Sequence, residues 1–341
     1  MRLRQNPKII LMTESILQKQ LFKSIKDAMP SNLSIVDALS ELLDLSNDSV
    51  YRRLRGETPL TLDELKTICE RFQLSLDQVL QLKTDKVLFT DPESNGAFTD
   101  FLSYQKRMLQ QLQYFSQFKE REMLYQSKDV PIFHFYSFKE ISAFKSFFWR
   151  KSILKEQEYE GKNFSITKFE EIDSFELGQQ TLKVYNEIPS SELWNYESIT
   201  STIMQIEYYR DSGVFETKED LNIVVDSCQL MLNHIEKQLE AGYKFLPGAG
   251  ESGYKAPIKF YVNEIILGNN SILINIDGNK LSFINHIILK YIYTADKSFN
   301  NKVFNNFYAL TSRSALISGT GERERTKFFK KLKERLMLCK G

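Results

Sequence analysis

Apolar positions along the chain keep a helical rhythm for most of its length and change to an extended one near the end. Ile16, Leu17, Leu21, Ile25 and Met29 recur at helical spacing, and Pro30-Ser-Asn closes that helix. A second short helix starts near Ser34 and carries Ile35, Leu39, Leu42 and Leu43. Asp44 then takes the tight turn, where a residue tolerant of left-handed backbone is wanted. Ser46 is a good N-cap for a third helix, with Asp48 favourable at its positive end, Val50 as an apolar pin and Gly56 as its stop. Thr61 caps a fourth, and Glu64 completes a capping box. Leu62, Leu65, Ile68 and Phe72 form its apolar stripe, and residues 75–80 read as a last short helix.

Residues 83–97 have turn-forming composition and read as a linker. A long helix follows through Phe101, Met108, Leu109, Leu112 and Phe115. Residues 130–136 alternate in the strand manner, with Pro131 marking an edge. An aromatic helix over 141–154 and two helices over about 176–187 and 191–211, parted by Pro189, come next. The cleanest amphipathic pattern starts at Thr217, runs from Leu221 to Leu239 and stops at Gly242. Beyond the flexible break at 247–253, residues 258–267, 271–276 and 280–285 read as a three-stranded antiparallel meander, with Asp277-Gly278 as a hairpin turn. A helix over 286–293 and a basic helix over 322–338 finish the chain. The expected class is mainly α, with a small antiparallel β-meander. The expected organisation is 1–82 with a basic N-terminal arm, the linker 83–97, a helical regulatory or dimerisation region 98–246, and an α+β region 254–341.

The first helices resemble the five-helix DNA-binding domain of the Cro/repressor-like (XRE) family, in the variant whose third helix reads like Asp48-Ser-Val-Tyr-Arg-Arg-Leu-Arg-Gly56. The resemblance covers residues 15–82. Leu39, Leu43, Leu45, Val50, Gly56 and the passages 59–65 and 72–77 carry it. The chain departs from the pattern twice: Asp44 stands where the turn usually has glycine, and Arg53 stands where a second apolar pin usually falls. Leu54 is expected to supply that packing. The resemblance implies a helix-turn-helix fold and a bacterial, DNA-binding transcription regulator.

A major groove admits one helix, whose first residues reach base edges while cationic groups clamp phosphates. By spacing, Asn47, Asp48, Ser49, Tyr51 and Arg52 are the base-edge candidates, and Arg53 and Arg55 the phosphate contacts. Asn47 matches adenine and Arg52 guanine. Asp48 has a plainer reading as a cap or an orienter of arginine.

Composition narrows the rest. Hydrophobic content of 42% with 13% aromatics can fill a core, and a formal net charge of +1 confines any nucleic-acid contact to a local patch. Cys69, Cys228 and Cys339 lie far apart, which fits a reducing cytoplasm better than a disulfide scaffold. No apolar run approaches the roughly 20 residues of a membrane span. His134, His234 and His286 lack ligand spacing, and no nucleophile elbow or phosphate loop is present, so no metal, cofactor or enzymatic activity is expected. The basic stretch from Arg323 to Arg335 reads as a solvated helix face with Phe328, Phe329, Leu332 and Leu336 turned inward. The aromatic cluster Phe133, Phe135, Phe144, Phe147, Phe148 and Trp149 reads as core; its sharper alternative is a pocket for a small-molecule or peptide effector. Double-stranded DNA is the expected partner, read by a homodimer. The competing class is a protein-interaction module, antitoxin-like or scaffolding, and a third, ranked below it, is an enzyme carrying a fused operator-binding head.

Overall fold

The computed structural model of the chain describes residues 17–23, 25–26, 34–72, 74, 86–92, 100–168, 172–265 and 267–340. They fall into two compact units, Met1–Lys86 and Val87–Gly341. In the first unit, residues 17–23 and 25–26 are helical, followed by α1 (Ile35–Leu43), α2 (Asn47–Leu54) and α3 (Leu62–Phe72). Each cap is made by the residue the sequence singles out. Ser34 Oγ accepts from the Asp37 amide and Ser46 Oγ from the Ser49 amide. The capping box closes in both directions: Glu64 N–H donates to Thr61 Oγ1 at 3.2 Å, and Thr61 N–H donates to Glu64 Oε2 at 2.9 Å.

Asp44 is left-handed, with φ 52° and ψ 49°, and its amide and that of Leu45 donate to the Ser40 carbonyl. Leu21, Phe22, Ile25, Val36, Leu39, Val50 and Ile68 form the core of this unit, with Leu54 packed against them. Leu62 departs from the expected stripe and is 82% exposed. As the first residue of α3 it has no preceding turn over it. The N-terminal arm and the helix expected over 75–80 lie outside the described residues.

The second unit overturns the expected fold class: the chain is mixed α/β, not mainly α with a small meander. Its helices are α4 (Phe101–Ser116), α5 (Ile132–Phe135), α6 (Lys139–Phe148), α7 (Ile172–Asn186), α8 (Thr200–Asp211), α9 (Lys218–Ala241), α10 (Lys297–Thr311) and α11 (Glu322–Met337). The strands are β1 (Arg121–Gln126), β2 (Ser190–Trp194), β3 (Ile258–Val262), β4 (Ser271–Ile276), β5 (Asn279–Ile287), β6 (Lys290–Thr294) and β7 (Ala315–Leu316). Among the described residues they make one seven-stranded sheet, ordered β6-β5-β4-β1-β2-β3-β7. β1–β2 and β2–β3 are parallel and the remaining neighbours antiparallel.

Each misread element has a physical reason. β2 overlaps the start of the helix expected over about 191–211. Its sequence, Ser-Ser-Glu-Leu-Trp, is buried throughout and carries no apolar alternation; only its neighbours on both sides make it a strand. Residues 130–136 contain the short helix α5, started at Pro131, because a fully buried apolar run looks alike as strand or helix. The expected meander is broken because β1 and β2 lie between β4 and β3. Residues 286–293 are not helical but turn β5 into β6, with Leu289 at φ +64°. Asp277 and Gly278 do form the expected hairpin turn, both at positive φ.

The row Tyr125–Ile272–Phe283–Tyr293 runs in register across four strands. On that face Leu112 and Phe115 of α4 and Leu182 and Tyr185 of α7 pack against Met123, Tyr125 and Ile274. Phe304 and Phe307 of α10 pack against Leu124, Leu193 and Leu273 on the other face. The named aromatic residues between Phe133 and Trp149 are all buried, as core. Leu88 and Thr90 lie beside β6, Thr90 in an isolated antiparallel bridge with Tyr293. Thr90 exchanges both backbone hydrogen bonds with Tyr293, at 2.7 and 3.0 Å, and Thr294 Oγ1 donates to the Leu88 carbonyl at 2.7 Å.

Candidate nucleic-acid interface

Helix α2 is short, polar and firmly seated. Val50 is 1% exposed and pins it to the core, while Leu54 packs beside it in place of the usual second pin. That seating turns the opposite side outward: Asn47, Asp48, Tyr51, Arg52 and Arg55 are all exposed. Their spacing of one, three and four places them on one continuous face. An amide, a phenol and two guanidiniums on one helix face can hydrogen-bond base edges and phosphates.

The structure brings together five of the seven predicted residues and sets two apart. Ser49 is half-buried, its hydroxyl 2.9 Å from that of the capping Ser46. Arg53 leans on α3 instead of facing outward. It donates from Nη2 to Glu64 Oε1 at 2.7 Å, from Nε to Oε2 at 3.3 Å, and from Nη1 to the Ser49 carbonyl at 3.3 Å. One carboxylate thus closes the capping box of α3 and holds the side of α2. Burial pulls the Glu64 carboxyl upward, but the Arg53 hydrogen bond, the Thr61 amide and the Arg53 charge outweigh it and leave it below its ordinary value.

On the open face, Arg55 donates to both carboxylate oxygens of Glu57, at 2.6 and 3.1 Å, and Arg52 Nε lies 3.8 Å from Glu57. Exposed pairs of this kind are weak, so a phosphate can replace Glu57 at little cost. Gln18 is a positioning residue that sequence reasoning missed. Its Nε2 donates to the Arg53 and Thr58 carbonyls at 2.7 and 2.9 Å, and its Oε1 accepts from the Leu60 amide. These bonds fix the C-terminal end of α2. No local pattern marks a lone glutamine as the partner of a loop some forty residues away.

The BetR domain family model matches residues 21–111. That family is a helix-turn-helix type of DNA-binding domain, and the match points to a DNA-binding regulatory role. No curated protein and no solved structure matches the chain. The BetR match continues past the first unit, through residues 86–92 and into α4.

The basic helix α11 spends much of its charge inside the second unit. Arg325 is buried and donates to the Ile317 and Gly319 carbonyls, Lys333 pairs with Glu236, and Arg335 holds the Tyr196 carbonyl and Thr200. Phe328, Phe329, Leu332 and Leu336 face inward as expected. Among the described residues, no helix is long and apolar enough to cross a membrane.

Proposed function

We propose that the chain is a sequence-specific transcription regulator of the Cro/repressor-like kind. In this reading α2 enters the major groove, with Asn47, Tyr51 and Arg52 at base edges and Arg55 at phosphate. The observation that carries the reading is the outward face of α2, polar and cationic on a helix whose other side is locked by Val50, Leu54 and the Arg53–Glu64 pair. The BetR match supports it. Arg53 is assigned to orienting α2, not to touching DNA. The second unit is assigned to pairing two such heads, because one helix reads too few bases for a unique site and two half-sites multiply affinity. Its other task is response to an effector.

The test is selection of bound fragments from a random duplex library with the purified full-length protein, followed by gel-shift titration of the enriched site at several salt concentrations. The expected result is a two-fold symmetric motif. The logarithm of affinity should fall linearly with the logarithm of salt concentration. Absence of any enriched motif would overturn the reading, and co-purification of a protein partner without specific DNA binding would favour an interaction module in its place.

A further inference from the structure

Helix α2 ends in a tight backbone closure that carries a carboxylate onto its outward face. Gly56, at φ +77°, lets the chain turn back on itself. Its amide donates to the Arg53 carbonyl at 2.9 Å, and the Glu57 amide donates to the Arg52 carbonyl at 2.9 Å. This pair of reversed bonds is a Schellman closure. Gln18 holds the next residue through the Thr58 carbonyl. The backbone thus sets Glu57 in place, and its exposed side chain turns back to Arg52 and Arg55.

Glu57 treats the two arginines differently. It accepts from Nε and Nη2 of Arg55, at 2.6 and 3.1 Å, and so fills an edge with which a guanidinium grips a phosphate. It meets Arg52 at Nε, 3.8 Å from Oε2, and among the described residues the two terminal nitrogens of Arg52 make no hydrogen bond. Those nitrogens can match O6 and N7 of guanine. One carboxylate covers the arginine assigned to phosphate and steers the arginine assigned to a base.

The charges of this face balance. From Asn47 to Glu57 the exposed charged side chains are Asp48, Arg52, Arg55 and Glu57, two of each sign, while Arg53 is spent on Glu64. Sequence-independent affinity comes from cations that neutralise phosphates, and a balanced face supplies little of it. The Arg55 hydrogen bond holds the Glu57 carboxyl below its ordinary value against the opposing desolvation, and the Arg55 and Arg52 charges add to it. Glu57 is therefore ionised at neutral pH.

We propose that Glu57 is a positioning residue that gives α2 its sequence preference, withholding Arg55 from phosphate on arbitrary DNA and presenting Arg52 to a guanine at the operator. On arbitrary sequence both arginines have to leave Glu57 for phosphates, and its bare carboxylate then faces the DNA backbone. At the operator Arg52 reaches its base without leaving Glu57, so less is lost. This role rests on the proposed DNA-binding function.

The test uses the full-length protein in gel-shift titrations against two duplexes of equal length, the selected operator and a random sequence. In Glu57→Gln, affinity for the random duplex should rise at least about threefold. Its salt dependence should steepen, because one more cation is free to displace counterions. Operator affinity should not rise with it, so the specific-to-nonspecific ratio should fall at least about threefold. Glu57→Ala should repeat this result, and Glu57→Asp, which keeps the charge, should keep part of the ratio. With Arg55→Gln already present, Glu57→Gln should gain less on the random duplex. A merely structural role would lower both affinities, which is the opposite sign for the random duplex.

Unchanged or weaker binding of the random duplex by Glu57→Gln, with its circular dichroism spectrum intact, would overturn the proposal. Equal gains on both duplexes would also overturn it, since they mean repulsion without selection. In either case wild-type binding to the operator leaves the DNA-binding reading in place. A wild type that retards neither duplex would sink that reading, and this role with it.

Discussion

Arg52 and Arg53 are neighbours of the same chemistry, and the structure gives them opposite surroundings. Arg52 is on the open face, tied only loosely to Glu57. Arg53 is 14% exposed and forks onto Glu64. Arg52→Ala is therefore expected to lower operator affinity by about 1–3 kcal/mol without changing the stability of the first unit. An unaltered gel-shift titration would mean that another edge of α2 reads the bases. Arg53→Ala and Glu64→Gln are expected to act on stability first, each by on the order of 1 kcal/mol. The double variant should cost less than the sum of the two.

The pH dependence has a defined sign. Glu64 is depressed in the folded state, so its contribution is complete above the unfolded carboxylate value near 4.3. It is lost as pH falls through the lower folded value. Amide exchange in α2 and α3 from neutral to acid pH would show that loss in the wild type and not in Glu64→Gln.

At the scale of elements, close approach decides what packing periodicity cannot. Gly178 sits within α7, where glycine is a poor helix former. A Cβ built there would come within 2.4 Å of the Tyr136 ring. Tyr136 is 1% exposed and its hydroxyl accepts from Gln105 Nε2 at 3.2 Å, so the ring has nowhere to go. Gly178→Ala should gain helix propensity and still lose stability, by about 1–3 kcal/mol from overpacking. Both tryptophans, Trp149 and Trp194, lie in the second unit, so urea unfolding followed by tryptophan fluorescence reads that unit alone. A stabilised variant would show that Tyr136 yields.

In the whole molecule, buried ionisable groups gather around the middle of the sheet. Glu192 of β2 is fully buried and accepts from Trp194 Nε1 at 2.7 Å and from the Tyr185 hydroxyl, with His134 Nε2 at 3.0 Å. Lys244 is buried beside it, donating to the Tyr185 and Ile188 carbonyls, and burial pushes it down to about 7. His234 contacts the Phe245 carbonyl at 3.0 Å, and burial pushes it down to about 4.

A histidine depressed in the folded state takes up its proton on unfolding. Its contribution is complete above the ordinary value of 6.5 and is lost as pH falls toward 4. The shift corresponds to on the order of 3 kcal/mol of stability across that window. Tryptophan-monitored urea unfolding should show it in the wild type and show a shallower slope in His234→Gln. An unchanged slope would assign the acid sensitivity to another group.

Local chemistry by itself determined the caps and the left-handed turn of the first unit. They arise from side chains and backbone acting within four residues, so Ser34, Ser46, Asp44 and the Thr61–Glu64 box could all be read in order. Only tertiary structure decided the rest. β2 is a strand because β1 and β3 flank it, although Ser190 and Glu192 read as polar. Arg53 left the expected DNA-facing set because Glu64, on a different helix, reaches it. A cleft between α4 and the sheet exists because α4 lies over strands that follow it by as much as 184 residues, as Arg107 and Tyr291 in its lining show. Neither periodicity nor capping carries information over such separations; the burial energy of the assembled sheet does.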